Sequence, residues 1–327
     1  MRITDVKKKQ KIFMIMLLVA MCFGVTGSSI AVKAAAVQNV EDISDAAKAK
    51  KNGFYKENGK YYYYVNGKKK YNYLKKVGKY YYYFGSKGYA IKYTAEIKGK
   101  RYLFNEKRRM VRLNRNDFYT VAGRRYYLNK DNTVKTGWFT LSGNRLYYAK
   151  STGELLRGCT YEGITFNAKT GAAQASMAKE AKIRVMNTLD RITNPGMSDA
   201  QKLRAAWNYV VGGRFGYCSI YPNLASPSWC QELTYKMFIY GGGNCYGFAC
   251  MFAALAKHIG YDSYVVCGRV PGSRDGASDG MTRHAWVRIT GANYDPEAQY
   301  AGWCRGIYGY GYYPMANQVQ RVVRYAG

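Results

Sequence analysis

The chain has 327 residues, enough for two domains after removal of an export leader. It carries 51 Lys and Arg against 20 Asp and Glu, a formal net charge of +31. An excess of that size calls for polyanionic partners, and the export signal at the N-terminus argues against nucleic acid as that polyanion.

Lys7, Lys8, Lys9 and Lys11 precede an apolar run from Ile12 to Val25, and Ala34-Ala35-Ala36 follows. Basic region, short apolar core and small residues form a secretory signal over residues 1–36, with cleavage expected after Ala36. The run is shorter than the ~18–20 apolar residues of a membrane span, so no stable span is expected. Met21 makes Cys22 a poor lipid-attachment site. Without Cys22 seven cysteines remain: Cys159, Cys218, Cys230, Cys245, Cys250, Cys267 and Cys304. The odd number leaves at least one thiol unpaired within a monomer, and the pairing of the others stays open.

Residues 37–52 are polar and alanine-rich and read as a linker. Glycines then recur at Gly59, Gly78, Gly99, Gly123, Gly143 and Gly163, spaced 19, 21, 24, 20 and 20. Aromatics follow most of them, as in Gly59-Lys60-Tyr61-Tyr62-Tyr63-Tyr64 and Gly123-Arg124-Arg125-Tyr126-Tyr127. Turn signals such as Asn66-Gly67 and Thr152-Gly153 come next. Aromatic strands broken by such turns predict β-hairpins, and the fixed period predicts a stacked array over 53–172. Residues 51–170 hold 27 Lys and Arg against 7 acids, a surplus of 20, whereas residues 171–327 hold 16 against 9. The stretch 136–158, with Gly137-Trp138-Phe139 and Leu146-Tyr147-Tyr148, resembles the cell-wall-binding repeats of the choline-binding and glucan-binding families. That resemblance implies aromatics that pack between hairpins and form shallow ligand sites, here Trp138, Tyr147 and Tyr148. Choline cages in that family lean on tryptophan, whereas tyrosine and lysine dominate here. An anionic wall polymer or polysaccharide is therefore the expected ligand, held by charge with tyrosines stacked on sugar faces.

The composition changes near Gly171. Residues 172–192 read as a helix. Ser198 caps a second helix that runs to about Val211, with Gln201 as its capping-box partner. A short helix is expected over 231–240. Gly241-Gly242-Gly243 then leads to Asn244, a helix cap, and to Cys245 at the first helical position. Cys245, Phe248, Phe252, Leu255 and Ile259 form one stripe, which places the thiol on the inward face. A strand is expected over 264–268, a loop over 271–283 and a second strand over 284–289. Thr290-Gly291 turns the chain back. A two-residue turn sets Asp295 opposite Trp286 and diagonal to His284 on the same face, while a slip of two residues would favour Glu297.

A thiol at a helix start, a histidine on one strand and an acid on the next suit acyl transfer through a thioester: nucleophile Cys245, base His284 and orienter Asp295. Free cysteine has a pKa of about 8.5, and lowering it by about two units takes ~2.7 kcal/mol. A helix N-terminus supplies only ~0.3–1 kcal/mol, so the imidazolium must supply most of the shift. The Cys245 N–H is a candidate oxyanion donor. His258, at the other end of the helix, reads as structural. Two histidines without a cysteine pair at ligand spacing leave no expected metal, and no cofactor is expected.

Gly243-Asn244-Cys245-Tyr246-Gly247-Phe248-Ala249, His284-Ala285-Trp286-Val287 and Asn293-Tyr294-Asp295-Pro296 together resemble the transglutaminase-like superfamily over about 180–300. That resemblance implies an α+β, papain-like domain over 173–327, following the all-β hairpin array. It implies the same three residues as nucleophile, base and orienter. The family includes cross-linkers, peptidases, amidases and inactive members. The expectation is a secreted cysteine enzyme, retained at the surface of a Gram-positive-type bacterium and acting on amide bonds of protein or wall peptides, with hydrolysis ahead of cross-linking. A surface adhesin with a vestigial triad and a structural wall protein are the alternatives.

Overall fold

The computed structural model describes residues 51–141, 143–302 and 306–327. The expected leader 1–36, most of the linker 37–52, Cys22 and Cys304 lie outside the described residues. The chain separates into two compact units. One runs up to Ala95 and includes Phe104–Met110; the other comprises Glu96–Leu103 and Val111–Gly327.

In the first unit Gly53–Glu57 pairs antiparallel with Lys60–Val65, and Lys68–Lys69 adds a third strand. Tyr73–Val77 pairs with Tyr80–Phe84. Asn58-Gly59 and Asn66-Gly67 both adopt positive φ. That is the backbone a two-residue hairpin turn needs, which explains the recurring glycine. Phe84 is fully buried, and Phe54, Tyr61, Tyr63, Tyr73 and Tyr82 pack around it. Tyrosine suits a sheet this thin, because the ring fills the small core while the hydroxyl stays at the rim. Tyr64, for example, donates its hydroxyl to Glu57 at 2.8 Å.

The second unit opens with further hairpins. Asp117–Val121 pairs with Arg124–Leu128, Gly137–Thr140 with Leu146–Ala149, and Thr160–Tyr161 with Ile164–Phe166. The period has a direct cause in the backbone. After each hairpin the chain donates to a strand of the hairpin before it. Ala90 N bonds Tyr61 O at 2.7 Å and Met110 N bonds Tyr81 O at 2.8 Å in the first unit. Val134 N bonds Arg101 O and Leu155 N bonds Arg125 O, both at 2.8 Å, in the second.

Among the described residues five helices follow: α1 (Met177–Ile192), α2 (Asp199–Val211), α3 (Trp229–Tyr240), α4 (Cys245–Ile259) and α5 (Pro296–Ala301). Helix α1 starts five residues later than its composition predicts. Ala173–Gln174 is taken as a third strand on Ile164–Phe166, and Ser176 then caps the helix by accepting from Lys179 N. Ser198 forms the expected capping box with Gln201. The sheet has five antiparallel strands: β1 (Ser263–Pro271), β2 (Met281–Ile289), β3 (Ala292–Asp295), β4 (Ile307–Tyr310) and β5 (Gln318–Arg324). Their order is β4-β3-β2-β1-β5. Both β1 and β2 are longer than expected, so the loop between them shrinks to residues 272–280.

Helix α4 packs against α1, α2, α3 and the sheet. Every residue from Cys245 to Ala256 is buried. The single inward stripe read from the sequence is therefore too narrow, since Cys250 on another face is also fully buried. A helix that is apolar all round is central, not amphipathic. Phe252 stacks edge-on against Trp207 at 5.2 Å. Burying each such ring contributes roughly 1.5–3 kcal/mol. Among the described residues no helix is long and apolar enough to cross a membrane.

Candidate active site

The three glycines before α4 have different tasks. Gly241 ends α3 in the left-handed region. Gly242 lies against the backbone of Gly216, where a Cβ would collide with the Gly216 carbonyl. That close approach lets Gly242–Gly243 pair in parallel with Gly216–Tyr217 and fixes where α4 begins. Asn244 then caps the helix by accepting from Gly247 N at 3.4 Å. Cys245 is therefore the first helical residue, its N–H free of any intrahelical acceptor by position.

His284 lies on β2 opposite Gly268 of β1. Thr290-Gly291 adopts positive φ at both residues, the tight turn expected. Val287 faces Tyr294 and Ile289 faces Ala292. The same register carries Asp295 to the level of Trp286. The imidazole Nε2 of His284 meets Asp295 Oδ2 at 2.6 Å, and the ring is also hydrogen-bonded to the Cys245 side chain. Cys245, His284 and Asp295 thus form one connected chain. They are 1%, 2% and 0% exposed. Burial opposes a charge on the ring, yet the Asp295 carboxylate, with Cys245 beside it, more than offsets that and pushes the His284 pKa up to about 10.

Asp295 is held from three sides. Its Oδ1 accepts from Ala298 N at 2.9 Å and so caps α5. Its Oδ2 accepts from His284 and from the Tyr313 hydroxyl at 2.6 Å. Tyr313 in turn packs on Trp286, ring centres 4.5 Å apart. Glu297 is also buried at the site, its Oε2 3.9 Å from His284 Nδ1. Donor atoms of His284, Asp295 and Glu297 lie within 4.8 Å of one another, the one metal-type grouping among the described residues. Both oxygens of Asp295 are already engaged by N–H and O–H donors. The donor set therefore serves a proton-holding chain better than a cation.

The loop before β2 brings Arg274 to the thiol, Nη1 to Sγ 4.0 Å. Tyr217 shares a hydrogen bond with that guanidinium. Tyr313, Arg274 and Tyr217 have no signal in the sequence: one lies in a Gly-Tyr tail and one in a mixed-charge loop, and the third stands on a two-residue strand. His258 stays at the far end of α4, its Nδ1 2.9 Å from Ala254 O. The six cysteines among the described residues are free thiols.

The three aromatics singled out in the repeats do not share one surface. Trp138 meets Tyr148 edge-on at 4.9 Å and stacks on Phe166 at 5.8 Å. Tyr147 points the other way, 4% exposed among Phe118, Phe139 and Leu155. A cavity of about 420 Å³ opens beside Trp138, bordered by Ile164, Lys182, Ile183 and Met186. It contains none of the residues around Cys245.

Residues 187–305 match the Transglutaminase-like superfamily, and that span holds Cys245, His284 and Asp295. No curated protein matches the chain. The N-terminal hairpins resemble choline-binding repeats of solved structures. One is choline binding protein F from Streptococcus pneumoniae, 29% identical over 38% of this chain and 41% of that one, with a TM-score of 0.27. Another is the modular autolysin LytC from Streptococcus pneumoniae, 22% identical over 38% of this chain and 28% of that one, with a TM-score of 0.25. The chain spans about two fifths of the length of the choline binding protein F it matches, 41% in that crystal form. The protein thus carries a transglutaminase-like α+β domain behind a series of β-hairpins.

Proposed function

We propose that the protein is a secreted cysteine enzyme that acts on amide bonds of protein or wall peptides through a thioester. The observation that carries this reading is the buried chain Cys245–His284–Asp295, whose carboxylate end is 2.6 Å long. Cys245 attacks the carbonyl carbon and His284 gives its proton to the departing amine. The thioester then passes to water or to an amine. Asp295 keeps the imidazole charged and oriented, and the Cys245 N–H faces the developing oxyanion. We place hydrolysis ahead of transfer to an amine. Incubating the protein with glutamine- and lysine-bearing peptides and reading masses tests the order. A loss of ammonia with gain of water supports it, and cross-linked peptides reverse it.

In this reading residues 53–172 form the anchoring module and 173–327 the catalytic domain. The cationic tyrosine surface holds an anionic wall polymer, with Trp138 beside the cavity and Tyr148 packed on it as the aromatic platform and Tyr147 as a buried support. Surface retention on a Gram-positive-type wall follows from that charge. A non-catalytic adhesin is the rival, favoured by one fact: the thiol and imidazole are 1% and 2% exposed. Alkylation of Cys245 by iodoacetamide at mildly acidic pH separates the two. An inert thiol with no peptide turnover supports the adhesin.

A further inference from the structure

The guanidinium of Arg274 is held at several points around the thiol. Nε meets Asp275 Oδ1 at 3.2 Å, Nη2 donates to the Arg283 carbonyl, and Tyr217 shares a hydrogen bond with it. Asp275 is itself drawn away. It accepts from Arg283 N at 2.7 Å and from Arg283 Nε at 3.0 Å, so one carboxylate serves two guanidiniums. The other acids nearby face cations other than Arg274. Asp279 pairs with Arg269 at 2.6 Å, Asp295 with His284 at 2.6 Å, and Glu297 faces His284 Nδ1 at 3.9 Å. The Nη1 edge of Arg274 is left against a sulfur 4.0 Å away, a weak acceptor at that distance. The Arg274 side chain is 41% exposed while the thiol it touches is buried, so this edge is offered to whatever reaches Cys245 from solvent.

Resting on the reading of Cys245 as nucleophile, we infer that Arg274 is a specificity residue that selects acyl donors bearing a free carboxylate within a few bonds of the carbonyl attacked. The chemistry of acylation supports this. The thiolate adds to the carbonyl carbon, the C–N bond breaks, and the amine leaves with the proton of the His284 imidazolium. A neutral thioester and a neutral imidazole remain. Sulfur has then lost its negative charge, and the guanidinium has lost the anion it faced. A carboxylate on the acyl group restores that pairing at the Nη1 edge, as a charge-assisted hydrogen bond.

Two small alkylating agents test this in the full-length protein. Iodoacetate and iodoacetamide react by the same displacement: the Cys245 sulfur forms a bond to carbon and iodide leaves. Only iodoacetate carries a carboxylate next to the reacting carbon. Rates at Cys245 are read by peptide mass mapping at neutral pH and low salt. The expected result is that Arg274→Gln lowers the iodoacetate-to-iodoacetamide rate ratio about tenfold, while Arg274→Lys keeps most of it. An unchanged ratio in Arg274→Gln, with Cys245 still labelled, overturns the inference, as does an equal slowing with both reagents. If neither reagent labels Cys245 in the wild-type protein, the nucleophile reading itself fails, and this inference with it. Circular dichroism shows that each variant is folded, and Arg274→Met, with the same expected drop in the ratio, carries the comparison if the glutamine variant is not.

Discussion

The hairpin repeats and the α+β domain use charge in opposite ways. In the repeats the cations spread over tyrosine faces: Lys69 lies 3.9 Å above Tyr62 and Lys60 4.8 Å above Tyr89. Such contacts are each worth ~0.5–1 kcal/mol when exposed, and they leave the charge available to a polyanion. In the domain the important charges are few, buried and paired. Asp295 serves His284, Tyr313 and the start of α5 at once. The first arrangement tolerates loss of any one residue, because its effect is a sum. The second does not, because each partner has one irreplaceable neighbour.

That contrast gives a graded set of expectations. The largest effect is in the domain. Cys245→Ala should abolish peptide turnover, by about 10³-fold or more, in a mass-read assay while circular dichroism is unchanged. Asp295→Asn should cost about 10²–10⁴-fold in turnover. It should also move the alkaline limb of the rate profile down from near pH 10, the raised pKa of His284. The sign follows from linkage. A histidine with its pKa raised to about 10 in the folded state contributes stability fully below its unfolded value of ~6.5, and that stability is lost as pH rises through about 10. Urea unfolding of the wild type should therefore weaken over that range more than unfolding of Asp295→Asn. Equal pH dependence in the two would break the claim that Asp295 causes the shift.

Phe252→Ala in the all-round buried helix should cost ~3–5 kcal/mol by urea unfolding. Tyr73→Ala, at a half-buried repeat position, should cost clearly less. Tyr313→Phe removes only the hydroxyl that Asp295 accepts, and should cost ~1 kcal/mol with a loss of turnover of roughly tenfold. The smallest single-residue effect is expected in the repeats. Lys60→Ala or Lys69→Ala should each weaken retention on isolated wall material only slightly, whereas raising salt should release the protein. Retention that ignores salt would break the charge-based side of the comparison.

Legibility in the sequence follows the same divide. Hairpins are local: Asn58-Gly59 turns and tyrosine strands lie within a dozen residues of each other, so their period is visible directly. Helix α4 and its cap are local too, and the turn at Thr290-Gly291 fixed the level of Asp295 through register alone. Helix α1 starts later than its composition predicts because Ala173–Gln174 joins a strand, a tertiary choice that helix propensity does not encode. The buried surface of α4 is wider than its apolar stripe predicts because burial on every side depends on α1, α2, α3 and the sheet arriving together.

The sequence by itself determined the order of the two regions, the charge they carry and the elements on which Cys245, His284 and Asp295 lie, because each of those elements has a short-range signature. Only the tertiary structure decided what surrounds them. Tyr313 reaches Asp295 from 18 residues away and Arg274 reaches Cys245 from 29 away, through loops with no periodic pattern. Side chains brought together by chain return obey packing and hydrogen-bond satisfaction in three dimensions, and no spacing along the chain records that.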